Sequence, residues 1–384
     1  MRPTRSRSFS RSLGAFVALA LLAVACGDDD DNATTGGSPS GESATCAPEQ
    51  IPDAVEADAV ESADTDGTTL TLVTHDSFAV SDGIFDSFEA ETGIKVDVLQ
   101  SGDAGAVVSQ AVLTAGKPVG DVLFGIDNTF LCRGLAADVF VPYESPGLAD
   151  VPDALELDDN HLVTPIDVGD VCANYSKTEY PDASSAPVDL DDLTDAKFKD
   201  QFVTENPETS SPGFAFLLAT IAKYGEDGWE DYWQRLRSNG VEVTNGWEEA
   251  YTEVFAGGKG DRAIVTSYAS SPVVEVLYAD PPVTEAPTGV VEDACFRQIE
   301  FAGILRGTEH PEAAAKLIDF MLSKAFQEDI PLNMFVEPAN ENAELPDVYT
   351  EHRTEIASPL ELDPAEIEAG REKWTDRWTE IVLR

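Results

Sequence analysis

The sequence predicts an α/β protein folded as a two-lobe clamshell, with long strands crossing between the lobes as its hinge. Three observations predict it. Strand and helix periodicities alternate from Thr69 to Asn128, the pattern of parallel βαβ units. A second alternating stretch runs from Phe202 to Ser267. His161–Tyr175 and Phe296–Leu305, which flank that second stretch, read as strands longer than an ordinary lobe strand.

In order, Thr69–Thr74 alternates β-branched and apolar residues as a strand does, and His75-Asp76-Ser77 closes it with turn and cap chemistry. A helix carrying Phe85 and Phe88 stops at Gly93, a residue suited to the left-handed position after a helix. Ile94–Leu99 is the next strand, and Gly102-Asp103-Ala104-Gly105 opens a helix reaching Leu113. The apolar strand 121–126 ends on Asp127-Asn128. The second unit holds strand Phe202–Thr204, helices Phe214–Tyr224 and Trp229–Arg237, strand Val241–Val243, helix Glu248–Phe255 and strand Ala263–Ser267. A helix from Pro311 carries Ala315, Leu317, Phe320 and Met321. The last helix, 364–383, is amphipathic, and Trp374 and Trp378 on it are expected to pack within a lobe rather than stack on a ligand. The first lobe is expected over 66–166 plus about 292–342, and the second over 167–291 plus the C-terminal stretch about 343–384.

The N-terminus has a different composition. Arg2, Arg5, Arg7 and Arg11 precede an apolar run from Leu13 to Val24 that is too short to span a bilayer. With Ala23-Val24-Ala25 before Cys26, residues 1–25 read as a secretory signal, and Cys26 as a lipidated new N-terminus. Residues 26–65 contain many acids and small residues but no lysine or arginine, so they are expected to form a disordered spacer. The whole chain carries 24 Lys+Arg against 72 Asp+Glu, a net charge of −48. That balance excludes nucleic-acid binding, which needs basic residues against phosphates, and favours cationic ligands at long range.

Four further cysteines in an exported chain predict two disulfides. Cys172 and Cys295 fall on the two crossing strands and are expected to pair, leaving Cys46 with Cys132. Their wide spacing, and the lack of CxxC or HExxH, argue against a metal site.

Ligands of such folds sit between lobes, at loops leaving the carboxyl ends of strands. Four loops qualify: His75-Asp76-Ser77, Gly102–Gly105, Thr209–Gly213 and Ser267–Pro272. Two of them are helix starts, whose free N–H groups suit an anion or hydroxyl. Trp247 and Tyr268 supply aromatic walls for a planar or cationic ligand, and Asp127 a carboxylate. No GxSxG elbow, P-loop or Cys–His pair is present, so an enzyme is not expected.

The segments Thr71–Phe78, Asp121–Asn128, Asn206–Gly213, Asn245–Tyr251 and Ser267–Pro272 together resemble the thiamine-binding components of bacterial ABC importers, within the type II solute-binding proteins. The resemblance covers nearly all of 66–384. It implies a type II periplasmic-binding-protein-like clamshell that captures thiamine or a thiamine phosphate and delivers it to a permease and its ATPase. It also implies an exported monomer without cofactor, held at the outer face of the membrane or in the periplasm by its lipid alone. Ala104, Gly105, Ser210, Ser211, Trp247, Tyr268, Ala269, Ser270 and Ser271 are then the ligand contacts, beside His75, Asp103 and Asp127. The chain departs from the family in its aromatic cage, with His75, Val274 and Met334 where relatives carry aromatic residues. Ferric-ion relatives use two adjacent tyrosines; here Ser267 precedes Tyr268. The alternatives are a receptor for another small cation such as a polyamine, and an extracellular hydrolase using Ser77 or Ser210.

Overall fold

A computed structural model of the chain describes residues 46, 48, 50–182 and 184–384. The signal segment, Cys26 and most of the expected spacer lie outside the described residues. The end of that spacer is structured, contrary to expectation. Ala57–Ser62 forms helix α1, and Val60 is buried in the first-lobe core. The Val55 N–H donates to the Pro142 carbonyl at 2.9 Å, and Lys316 Nζ donates to Ala63 O and Thr65 Oγ1 at 3.1 and 3.0 Å. The physical reason is a small apolar stripe, Val55 and Val60, inside an acidic segment. Cys46 is disulfide-bonded to Cys132, with Cα atoms 4.5 Å apart.

Among the described residues, ten strands join in one curled sheet. They are β1 (Thr69–Thr74), β2 (Lys95–Gln100), β3 (Val122–Asp127), β4 (Phe140–Val141), β5 (Thr164–Ser176), β6 (Phe202–Glu205), β7 (Glu242–Thr244), β8 (Ile264–Tyr268), β9 (Thr288–Leu305) and β10 (Glu337–Pro338). Their main order is β2-β1-β3-β9-β5-β8-β6-β7, with β4 on β9 and β10 on β5. The first three strands are parallel, as are β8, β6 and β7, while β9 and β5 pair antiparallel with each other and with the strands flanking them.

This topology places the cleft. β3 ends at Asp127 opposite Glu300, which in turn lies opposite Asp167. β8 ends at Tyr268 opposite Val171, four residues further along β5. The carboxyl ends of both parallel sets therefore converge on the middle of the β5–β9 crossing, where an α/β sheet binds its ligand.

Helices α2 (Ile84–Thr92), α3 (Ala104–Leu113) and α4 (Leu131–Ala136) cover the first half, and α5 (Ser211–Tyr224), α6 (Trp229–Ser238) and α7 (Ser271–Leu277) the second. The chain then returns through α8 (Pro311–Leu322), α9 (Lys324–Gln327) and α10 (Ile330–Asn333) to α11 (Asp347–His352) and α12 (Pro364–Val382). Residues expected as an α-helix before Phe255 instead wind as a π-helix over Glu249–Val254. α12 was expected on the second lobe alone. Its Trp378 does meet Trp233 edge-on at 5.5 Å, but Arg371 donates to the Thr129 carbonyl and packs over Phe130 and Phe214, so the helix joins both halves. Cys172 and Cys295 are disulfide-bonded across the crossing strands, Cα atoms 4.2 Å apart. No helix of the described residues is long and apolar enough to cross a membrane.

Candidate ligand-binding cleft

The convergence point encloses a cavity of about 210 Å3. His75 enters from the end of β1, Asp103 and Ala104 from the start of α3, and Ser211 from the start of α5. Trp247, Tyr268, Ser270 and Ser271 close the second-lobe side, and Gln298 and Glu300 form the floor on β9. His75 fits because Gly125 faces it: a Cβ there would lie 2.3 Å from His75 Cδ2, and its φ of +95° marks a bulge between Phe124 and Ile126.

The aromatic wall is fixed by hydrogen bonds. Trp247 stacks on Tyr251 with centroids 5.0 Å apart, meets Tyr268 edge-on at 6.3 Å, and donates from Nε1 to Ser267 Oγ at 2.9 Å. Ser271 Oγ accepts the Tyr268 N–H at 3.1 Å and bonds Ser267 Oγ at 2.8 Å. Ser271 thus holds the wall as well as lining the cavity. Val274 and Met334 also line it, so part of the cage is aliphatic rather than aromatic.

Opposite the wall the cleft is acidic. Asp103 caps α3, accepting the Ala104 N–H at 2.6 Å, and also accepts the N–H groups of Ser211 at 3.2 Å and Trp247 at 3.0 Å. Desolvation pushes its pKa up to about 6, against the pull of those backbone donors. Glu300 is 6 % exposed and raised well above the ordinary range, first by burial and then by Asp167 and Asp127. Burial likewise lifts Asp167 to about 8 and raises Glu205 strongly. His75 Nε2 lies 3.5 Å from Glu300, but burial lowers the imidazole to about 4, so at neutral pH it is uncharged.

Several expected contacts take other roles. The helix-start N–H groups proposed for an anion are occupied by the Asp103 carboxylate. Ser210 is fully buried, its Oγ accepting the Gly213 N–H at 3.4 Å as a cap. Ser211 Oγ bonds the Asp127 carboxylate, which lies below the cavity and also accepts from Thr129, Phe130 and Gln298. Gly105 serves close approach: a Cβ would sit 2.8 Å from the Thr209 carbonyl across the cleft. Ala269 packs against the Cys172–Cys295 bridge instead of the cavity. Ser270 lines the cavity, but its hydroxyl donates to the Phe335 carbonyl. Sequence reading missed Glu300, Gln298, Glu248 and the neighbours of Met334 on its edge, Asn333, Phe335 and Val336. A carboxylate inside the apolar run Phe296–Leu305 was the available signal for Glu300.

A two-lobed sheet with its cavity at the strand crossing defines a solute receptor of the extracytoplasmic type. A model of the family described as bacterial extracellular solute-binding protein matches residues 117–355, and the chain belongs to this family. It is similar to the thiamine-binding periplasmic protein of Escherichia coli K12, 30% identical over 319 residues that cover 82% of this chain and 94% of that one. The thiamine-binding periplasmic protein of Brucella suis is 26% identical, with coverage of 82% and 92%. A solved periplasmic thiamin binding protein superposes with a TM-score of 0.73 at 27% identity, over 87% of this chain and all of that one. Iron-bound HitA from Pseudomonas aeruginosa shares the fold, with a TM-score of 0.67 at 22% identity over 82% and 99%.

Proposed function

We propose that the protein captures thiamine in this cleft and presents it to an ABC permease and its ATPase. The observation that carries the reading is the pairing of the Trp247–Tyr268 wall with the buried Glu300 carboxyl across one small cavity. An aromatic face and a carboxylate are what a flat ring with a fixed positive charge requires. The thiamine-binding relatives support the choice of ligand. Among thiamine forms, we assign the unphosphorylated vitamin as the better ligand. A phosphate would meet the Asp103 carboxylate at the helix starts, with no lysine or arginine on the cavity wall to offset it.

The receptor acts outside the cytoplasmic membrane, as a monomer held by lipid on Cys26, and performs no chemistry on its ligand. Trp247 makes the test direct. Its fluorescence should change saturably with thiamine, at higher concentrations with thiamine monophosphate and diphosphate, and still higher with spermidine. Saturation by spermidine alone would replace thiamine with a polyamine as the ligand.

A further inference from the structure

Three carboxyl groups stand in register across three adjacent strands. Asp127 on β3 lies opposite Glu300 on β9, and Glu300 opposite Asp167 on β5. Residues opposite one another in neighbouring strands point to the same face, so the three form a row under the cavity. They are 0, 6 and 0 % exposed.

Among the described residues, the Glu300 and Asp167 carboxyls of the row meet no counter-charge. Asp127 is the satisfied member, with donors from Thr129, Phe130, Ser211 and Gln298. Among the described residues no donor reaches either oxygen of Asp167, whose neighbour across the strands is the Glu300 carboxyl. Glu300 faces the cavity and accepts no hydrogen bond from the described residues; its near neighbour His75 Nε2 is itself unpartnered. The elements packed around the row bring it little positive charge. β1 offers neutral His75, α3 the acidic Asp103, β8 the phenol of Tyr268 and α11 the phenol of Tyr349. The one cation that approaches among the described residues, Arg371 from α12, reaches the Asp127 end and hydrogen-bonds Thr129.

We propose that this row is a cation subsite which holds a proton between Glu300 and Asp167 when empty, and exchanges it for the positive charge of an organic cation when the ligand binds. The step balances simply. The shared O–H bond breaks, its proton passes to solvent buffer, and the extra negative charge left on the carboxyl pair is matched by one positive charge of the bound ligand. Two adjacent buried carboxylates cannot both ionise without such a partner, and the raised values of Glu300 and Asp167 agree with a proton resident at neutral pH. The inference rests on the reading that the ligand is a cation, but not on its being thiamine.

The test joins calorimetry and infrared spectroscopy on the full mature protein, with thiamine and spermidine as cation probes. Titrations at pH 7 in phosphate and in Tris, which differ in ionisation enthalpy, should show release of up to about one proton per ligand, and the affinity should rise by up to tenfold per pH unit between pH 6 and 8. The ligand-free protein should show a protonated-carboxyl band at pH 7 that Glu300→Gln and Asp167→Asn each remove and that ligand bleaches. Proton release with spermidine but no binding of thiamine would keep the subsite and overturn the thiamine assignment. Equal heats in both buffers with a flat pH profile, no such band in the free protein, or binding of neither cation would overturn the proposal. Should a variant fail to fold, the wild-type buffer pair and band decide alone.

Discussion

The Asp103 carboxylate, at the start of a first-lobe helix, accepts the backbone N–H of Trp247 in the second lobe at 3.0 Å. Its other oxygen accepts the Ser211 N–H at 3.2 Å. One side chain thus ties the first lobe to two separate loops of the second, and one of those loops carries the aromatic wall. Closure and wall position are coupled through it.

Asp103→Ala should therefore weaken ligand binding by about 10- to 100-fold, the scale of one charged hydrogen bond at 1.5–3 kcal/mol. The lost cap should lower stability by only about 1 kcal/mol. Calorimetry and urea unfolding on the same variant separate the two. A loss of stability well above about 1 kcal/mol with intact affinity would mean that the contact is structural rather than a latch.

Trp247→Ala should weaken thiamine binding by about tenfold or more, combining a cation–π contact of about 0.5–2 kcal/mol with lost packing. Trp247→Phe should recover part of it. The indole is held by Tyr251 and Ser267, not by the ligand, so the wall is preformed. Fluorescence of the remaining tryptophans, or calorimetry, reads the change.

The buried carboxyls set a pH dependence of known sign. Asp167 rises to about 8 in the fold from an ordinary 3.8, so its contribution is fully present below pH 3.8 and is lost as pH rises through 8. His75 falls from 6.5 to about 4, so its contribution is present above 6.5 and is lost as pH falls through 4. Thermal unfolding of the ligand-free protein should show Asp167→Asn gaining on the wild type as pH increases from 5 to 8. Parallel curves would show that Asp167 does not titrate in that window.

Arg371→Ala should destabilise the protein by about 2–4 kcal/mol, since a desolvated cation–π contact and a charged hydrogen bond are lost together. The guanidinium lies 4.3 Å from the ring centroids of both Phe130 and Phe214 and reaches the Thr129 carbonyl. Lysine lacks the planar group that covers both rings, so Arg371→Lys should rescue little. Urea unfolding measures both.

Much of this fold was legible because local pattern and tertiary role agreed. β1 and β3 alternate or run apolar as their burial demands, and Gly93 stops α2 with a left-handed φ of 73°. Legibility failed where a long-range partner decided the outcome. β9 extends back to Thr288, beyond the Phe296–Leu305 strand that the pattern predicts, because β5 pairs with it there. α1 and the segment before it hide Val60 and half-bury Val55 among acids. At the site, Trp247 and Tyr268 were visible as aromatic residues in loops. The row of Asp127, Glu300 and Asp167 was not, because its members are far apart in sequence and meet only through strand register. Ser210 shows the opposite case: a helix-start serine resembles a ligand donor, yet it is buried as a cap, while its neighbour Ser211 lines the cavity with its N–H and hydroxyl already held by Asp103 and Asp127.

Capture of thiamine by this cleft is read most plainly by calorimetric titration of the ligand-stripped mature protein with thiamine, run beside Trp247→Ala. A saturable one-to-one isotherm is expected for the wild type and a clearly weaker one for the variant. Absence of saturable binding in the wild type, or identical isotherms for both proteins, would contradict it.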